Sequence, residues 1–110
     1  MKYINKKLSI ENVKVQNIAK KFGTPAYCYS YNQLKENINN FKRGFKSFAP
    51  LICFAIKSNT NVNLISEIRK LGLGADVVSM GELMKALKAG IKPNKIVFSG
   101  VGKTVEEIKY

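Results

Sequence analysis

Four side chains stand where chemistry is easiest to place. Leu51-Ile52-Cys53-Phe54-Ala55-Ile56 is an unbroken apolar run that ends abruptly on Lys57. A short apolar run bounded by polar residues predicts a strand buried on both faces, as in a parallel sheet. Lys57 then falls at the carboxyl end of that strand, where α/β barrels and open α/β sheets place their chemistry. Walls around such a lysine desolvate it in part and lower its pKa from the reference of about 10.4. The neutral amine is the form that a Schiff base with an aldehyde requires. The plain alternative is that Lys57 reaches into solvent, as most strand-ending lysines do.

Asp76 sits between Ala75 and Val77 in a second apolar run. A carboxylate within a strand is expensive without a partner, and Lys57 at the mouth of the neighbouring strand is one candidate. The alternative is that Asp76 caps a loop or faces water at the rim. Glu82 has a stronger structural reading: Ser79-x-x-Glu82 is a capping box, and a first-turn glutamate also favours the helix dipole. Gly100-x-Gly102-Lys103-Thr104 looks like the end of a phosphate-binding P-loop, but the further glycine that motif demands is Val97 here, so the nucleotide reading fails. Thr104-x-x-Glu107 is one more capping box. Lys103 either faces a cavity at the strand mouth or is simply exposed.

The elements that position these residues follow in order. Residues 1–7 are polar and expected to be loose, and Leu8-Ser9-Ile10 reads as a short strand. A helix should then carry Val13, Ile18, Ala19 and Phe22 towards the core and stop at Gly23. Thr24-Pro25 holds the chain extended into Ala26-Tyr27-Cys28-Tyr29, a strand of aromatic character. Ser30-Tyr31-Asn32-Gln33 has the form of a capping box, and Tyr31, Leu34, Ile38, Phe41 and Phe45 follow as one apolar stripe, most simply core packing. After the lysine strand, a helix near 62–71 shows Leu64, Ile65, Ile68 and Leu71 on one face and ends at Gly72. Ala75–Ser79 is the next strand, Met80–Ala89 a helix with Leu83, Ala86 and Leu87 inward, and Ile96–Ser99 a third strand leading to a final helix. Alternating strands and helices at short loop lengths predict a parallel sheet with right-handed crossovers. Periodicity alone allows a partial barrel and an open doubly wound sheet equally.

Composition narrows the function classes. The net charge of +12 invites a nucleic-acid partner. Against it, the lysines are spread along the chain, and the longest runs are pairs such as Lys6-Lys7 and Lys20-Lys21. Only Arg43 and Arg69 offer the residue type that does most specific base reading. A solvated lysine-rich surface is the better reading. Cys28 and Cys53 do not make a disulfide framework, and both fall in expected strands. With no histidine, a Cys/His metal site is not expected. No apolar leader or membrane-length stretch is present, which predicts a cytoplasmic chain with no membrane partner.

Phe54-Ala55-Ile56-Lys57-Ser58-Asn59 resembles the lysine strand of the fold-type III, pyridoxal-phosphate-dependent decarboxylases. Gly74-Ala75-Asp76-Val77-Val78-Ser79-Met80-Gly81-Glu82-Leu83 resembles that group's next strand and turn. Phe22-Gly23-Thr24-Pro25-Ala26-Tyr27 and Ile96-Val97-Phe98-Ser99-Gly100-Val101-Gly102-Lys103-Thr104 narrow the resemblance to the diaminopimelate decarboxylases. It runs from about Leu8 to the last residue, with Ser58 departing from the usual Ala or Cys. The resemblance implies an α/β chain forming the first three βα units of a (β/α)8 alanine-racemase-like barrel. Residues 1–29 would be a segment pairing with a carboxy-terminal β-domain that this chain lacks, and residues 30–110 the first part of the pyridoxal-phosphate-binding barrel. It also implies pyridoxal 5'-phosphate on Lys57, Asp76 beside that lysine, and Glu82 and Lys103 as secondary site residues. The expected reaction is removal of carbon dioxide from meso-diaminopimelate to give L-lysine, in a homodimer. Rival readings are a decarboxylase for ornithine, arginine or carboxynorspermidine, or a non-catalytic pyridoxal-phosphate-binding piece. At 110 residues the chain is shorter than the roughly 250 that a complete barrel takes, so it reads as an amino-terminal piece of a longer enzyme. Alone it is expected to be neither a stable fold nor a catalyst.

Overall fold

The computed structural model describes residues 1–45 and 47–110 and divides into two compact units, Met1–Lys46 and Ser47–Tyr110. The first begins with β1 (Lys2–Ile4), β2 (Lys7–Ile10) and β3 (Val13–Lys14), an antiparallel sheet in sequence order. Residues 1–7 are therefore not loose: Lys2 pairs with Ser9 and Ile4 with Lys7. Asn5 and Lys6 both take positive φ, 48° and 60°, the conformation a two-residue hairpin turn demands. Ser9 is buried, with its hydroxyl donating to the Lys7 carbonyl at 3.3 Å.

Helix α1 spans Val15–Phe22 and ends at Gly23, whose φ is +80°. Two of its expected core residues are corrected: Val13 lies in β3, and both Val13 and Phe22 are exposed. Ala26–Tyr29 does not form a strand; it runs as exposed irregular chain, because no neighbouring strand supplies the ladder its aromatic pattern would need. Helix α2 (Tyr31–Gly44) starts at Ser30, whose Oγ accepts from Gln33 N at 3.1 Å. Gln33 does not complete the box; its side chain donates to Asn37 Oδ1. Glu11 takes that place, accepting from Ser30 Oγ at 2.7 Å and from Asn32 N at 2.9 Å. The Asn32 and Ser30 donors hold the Glu11 carboxyl below its ordinary range. The expected core stripe of α2 is open: Tyr31, Phe41 and Phe45 are exposed, and Leu34 and Ile38 are half-buried.

The second unit is built from β4 (Cys53–Ala55), a 3-10 turn (Ile56–Ser58), α3 (Val62–Lys70), β5 (Gly74–Val77), α4 (Met80–Lys88), a 3-10 turn (Pro93–Lys95), β6 (Ile96–Phe98) and α5 (Val105–Lys109). The strands are parallel in the order β4-β5-β6, with Ala55↔Asp76↔Val97 in register. This is the succession of βα units that a (β/α)8 barrel repeats. The apolar run at 51–56 is shorter as a strand than its pattern predicts, and only Ile56 in it is fully buried.

Alternation then sorts the sheet's two faces. Phe54, Ile56, Ala75, Val77, Ile96 and Phe98 pack with Ile65 of α3 and Ala86 of α4 into the core. Cys53 and Ala55, Gly74 and Asp76, and Val97 alternate onto the other face. Gly74 lies close against the 3-10 turn that precedes β6. A Cβ there would overlap the Lys95 carbonyl oxygen and lie 3.0 Å from Cys53 Sγ. Gly74→Ala is expected to destabilise the complete protein by about 1–3 kcal/mol, because rigid backbone has to move. An unchanged urea midpoint would contradict that close approach.

The amino terminus of α4 is tied off by three side chains. Ser79 Oγ accepts from Glu82 N at 3.3 Å, and Glu82 Oε2 accepts from Val78 N at 2.9 Å. Glu107 Oε1 accepts from Met80 N at 2.9 Å, while its Oε2 closes the Thr104 capping box at 2.8 Å. The Thr104 and Met80 amides, with a further contribution from Lys103, hold the Glu107 carboxyl below the ordinary 4.5. A carboxyl depressed in the folded state adds stability above its unfolded value, and that contribution fades as pH falls through the folded value. Glu107→Gln is therefore expected to lower stability at pH 7, with the gap closing below about pH 4.5. Urea titrations at both pH values measure it; a gap independent of pH would rule out the charged cap.

Candidate active site

Lys57 emerges at the carboxyl end of β4, on the 3-10 turn, and is exposed. The turn exists because Ile56 is drawn wholly into the core while Ser58 Oγ donates back to the Ala55 carbonyl at 2.8 Å. Asn59 N closes it on the Ile56 carbonyl at 3.0 Å. The hydroxyl that departs from the resembling motif thus fastens the turn carrying Lys57. Asn59 and Asn61 then step the chain into α3, each side chain accepting from a backbone amide two residues on.

Asp76 lies on the sheet face away from the helices, half-buried, in register with Ala55 and Val97. Its partner is Ser99, whose Oγ donates to Asp76 Oδ1 at 2.5 Å. No ion pair joins Asp76 to Lys57; among the described residues the single ion pair is Lys70–Glu67. Ser99 reaches Asp76 because the ladder continues past β6. Ser99 N donates to the Val77 carbonyl at 2.9 Å, and the alternation brings its side chain to the Asp76 face. Gly100 permits this, since a Cβ there would sit 2.5 Å from the Val78 carbonyl oxygen.

Glu82 is held by backbone at the start of α4, as its capping reading predicts, with Val78 N in place of Ser79 N as its partner. Lys103 folds back on its own loop: Nζ donates to the Gly100 carbonyl at 2.6 Å and lies 5.0 Å from the Phe98 ring centre. Phe98 belongs to the helix-facing side, so Lys103 is not brought to Asp76. Cys53 shares the Asp76 face. Burial first, and then the Asp76 charge, push its thiol up, which favours the protonated form.

The structure thus places an amine, a carboxylate and a hydroxyl at or near the ends of three adjacent strands, and brings the carboxylate and the hydroxyl into contact. The positions of Lys57 at a strand end and Asp76 within a strand follow from sequence; the Ser99–Asp76 contact does not, because it depends on the cross-strand register. Glu107 was legible as a cap for its own helix, but not as one for Met80. No helix among the described residues is long and apolar enough to cross a membrane.

Known proteins resemble this chain in sequence and fold. A diaminopimelate decarboxylase of Helicobacter pylori is 51% identical over 88 residues, and one of Aquifex aeolicus is 45% identical over 108. These alignments cover 80% and 98% of the chain, which spans 22% and 25% of the relatives' own lengths. The crystal structure of diaminopimelate decarboxylase from Helicobacter pylori complexed with L-lysine superposes with a TM-score of 0.82 at 45% identity, covering 87% of this chain and 24% of that one. The family described as pyridoxal-dependent decarboxylase, pyridoxal binding domain, matches residues 31–110. The chain belongs to that family, and the lysine strand and its two neighbours lie within the matched pyridoxal-binding domain.

Proposed function

We propose that the protein carrying this chain is a diaminopimelate decarboxylase, removing carbon dioxide from meso-diaminopimelate to give L-lysine. The observation that carries the reading is the exposed Lys57 amine at the mouth of β4, one strand from the Asp76 carboxylate. A primary amine at a strand mouth, one strand from a carboxylate and near a sheet face lined by small residues such as Ala55 and Gly74, fits an aldehyde cofactor. The related structure that holds L-lysine, the product in this reading, supports it.

In this reading Lys57 supplies the amine to which pyridoxal phosphate attaches. The bound cofactor supplies a ring that accepts the electron pair left when a carboxylate departs. Lys57 Nζ, at the strand mouth, would also be the group placed to carry protons. Asp76 supplies negative charge one strand over on the same sheet. Glu82 keeps the first turn of α4 in place and is a secondary contributor, as is Lys103 at the rim. The same reading assigns residues 1–29 to a β-domain segment and 30–110 to the barrel. It makes the protein a cytoplasmic homodimer that engages neither nucleic acid nor membrane.

The test is carbon dioxide release by the complete protein with added pyridoxal phosphate. Turnover of meso-diaminopimelate is expected, with little from ornithine or arginine. Lys57→Ala should lower it by about 10³-fold or more while leaving the unfolding transition in place. Comparable turnover of ornithine would overturn the substrate assignment, and an active Lys57→Ala variant would overturn the site.

A further inference from the structure

The strongest unassigned feature of the sheet face is the Ser99–Asp76 contact. Asp76 has two carboxylate oxygens to aim, and a side chain at a strand end turns about its bonds unless something holds it. Ser99 Oγ holds Oδ1 at 2.5 Å, and among the described residues Oδ2 carries no hydrogen bond. The donor is itself fixed from two sides. Its backbone amide is bonded to the Val77 carbonyl at 2.9 Å, and Gly100 lets the following chain lie against the Val78 carbonyl. The clamp is therefore anchored to the strand that carries Asp76. Cys53, protonated, shares that face without offering a competing charge.

We propose that Ser99 is a positioning residue: by clamping Oδ1 of Asp76 it leaves Oδ2 as the oxygen available to the Lys57 amine. The inference rests on the Lys57–pyridoxal phosphate reading. Among the described residues the side chain of Ser99 hydrogen-bonds Asp76 and not Lys57, so its effect is assigned to the carboxylate. A hydroxyl that merely filled space would be replaced without cost by a methyl group of the same shape.

The variants Ser99→Thr and Ser99→Val, made in the complete protein, separate hydroxyl from volume. Three measurements are made on each: the urea midpoint, the visible circular dichroism of bound pyridoxal phosphate, and kcat and KM for meso-diaminopimelate. Ser99→Thr should keep the dichroic band and lie within about 3-fold of the native kcat. Ser99→Val should weaken the band and lose about 10- to 100-fold in kcat, with KM changed less than the turnover. Asp76→Ala should cause a loss of the same kind, and adding Ser99→Val to it should cost little more. If Val matches Thr in both band and kcat, or if the losses of Val and Asp76→Ala multiply, the clamp is refuted while the decarboxylase reading stands. If the native protein gives no cofactor band and no turnover, the decarboxylase reading falls and this inference with it. Where Ser99→Val fails to fold, Ser99→Ala replaces it; a native dichroic band and kcat in that variant would equally refute the clamp.

Discussion

The register Ala55↔Asp76↔Val97 is the constraint on which the second unit depends. In a parallel sheet a slip of one residue sends every side chain to the opposite face. Here that slip would turn Asp76 into the helices and Ala75 and Val77 out of them. The core prevents it, because Ile56, Ala75 and Val77 are fully buried against Ile65 and Ala86. Gly74 adds a steric lock, since the Lys95 carbonyl lies where any Cβ would be. Burial on one face thus decides which polar groups appear on the other.

The strand ends are finished by hydrogen bonds that each cost the chain little. Ser58 bends β4 into its 3-10 turn, Ser99 extends β6 by one ladder bond, and Glu82 and Glu107 occupy amides at the start of α4. Ser58 and Glu82 act by side chain on nearby backbone, which is the local competition that such residues offer to regular structure. Glu107 differs in joining two helices. It couples the position of α5 to the amino terminus of α4, immediately after the strand that carries Asp76.

Much of the second unit was legible in the sequence because burial writes periodicity. Ile65 and Ile68 on one helix face, the stops at Gly72 and Gly90, and the order of the three strands all follow from it. The first unit was less legible. Its opening hairpin turns on Asn5-Lys6 and not on a glycine pair, so the usual signal is missing although both residues take positive φ. Ala26–Tyr29 has strand-forming side chains and no strand beside it, and propensity without a partner does not make a ladder. In the site, Lys57 and Asp76 stood out because charge at the end of, or within, an apolar run is conspicuous. Ser99 stayed hidden because its meaning lies in a cross-strand register that no single strand reveals.

The central claim is that the end of β4 presents the amine that holds the cofactor. The most direct measurement is borohydride reduction of the complete protein with pyridoxal phosphate, followed by peptide mapping. In so lysine-rich a chain, non-specific attachment would scatter the label over many peptides. The account predicts that the label is concentrated on the peptide containing Lys57. Recovery of the label mainly on another lysine would contradict it.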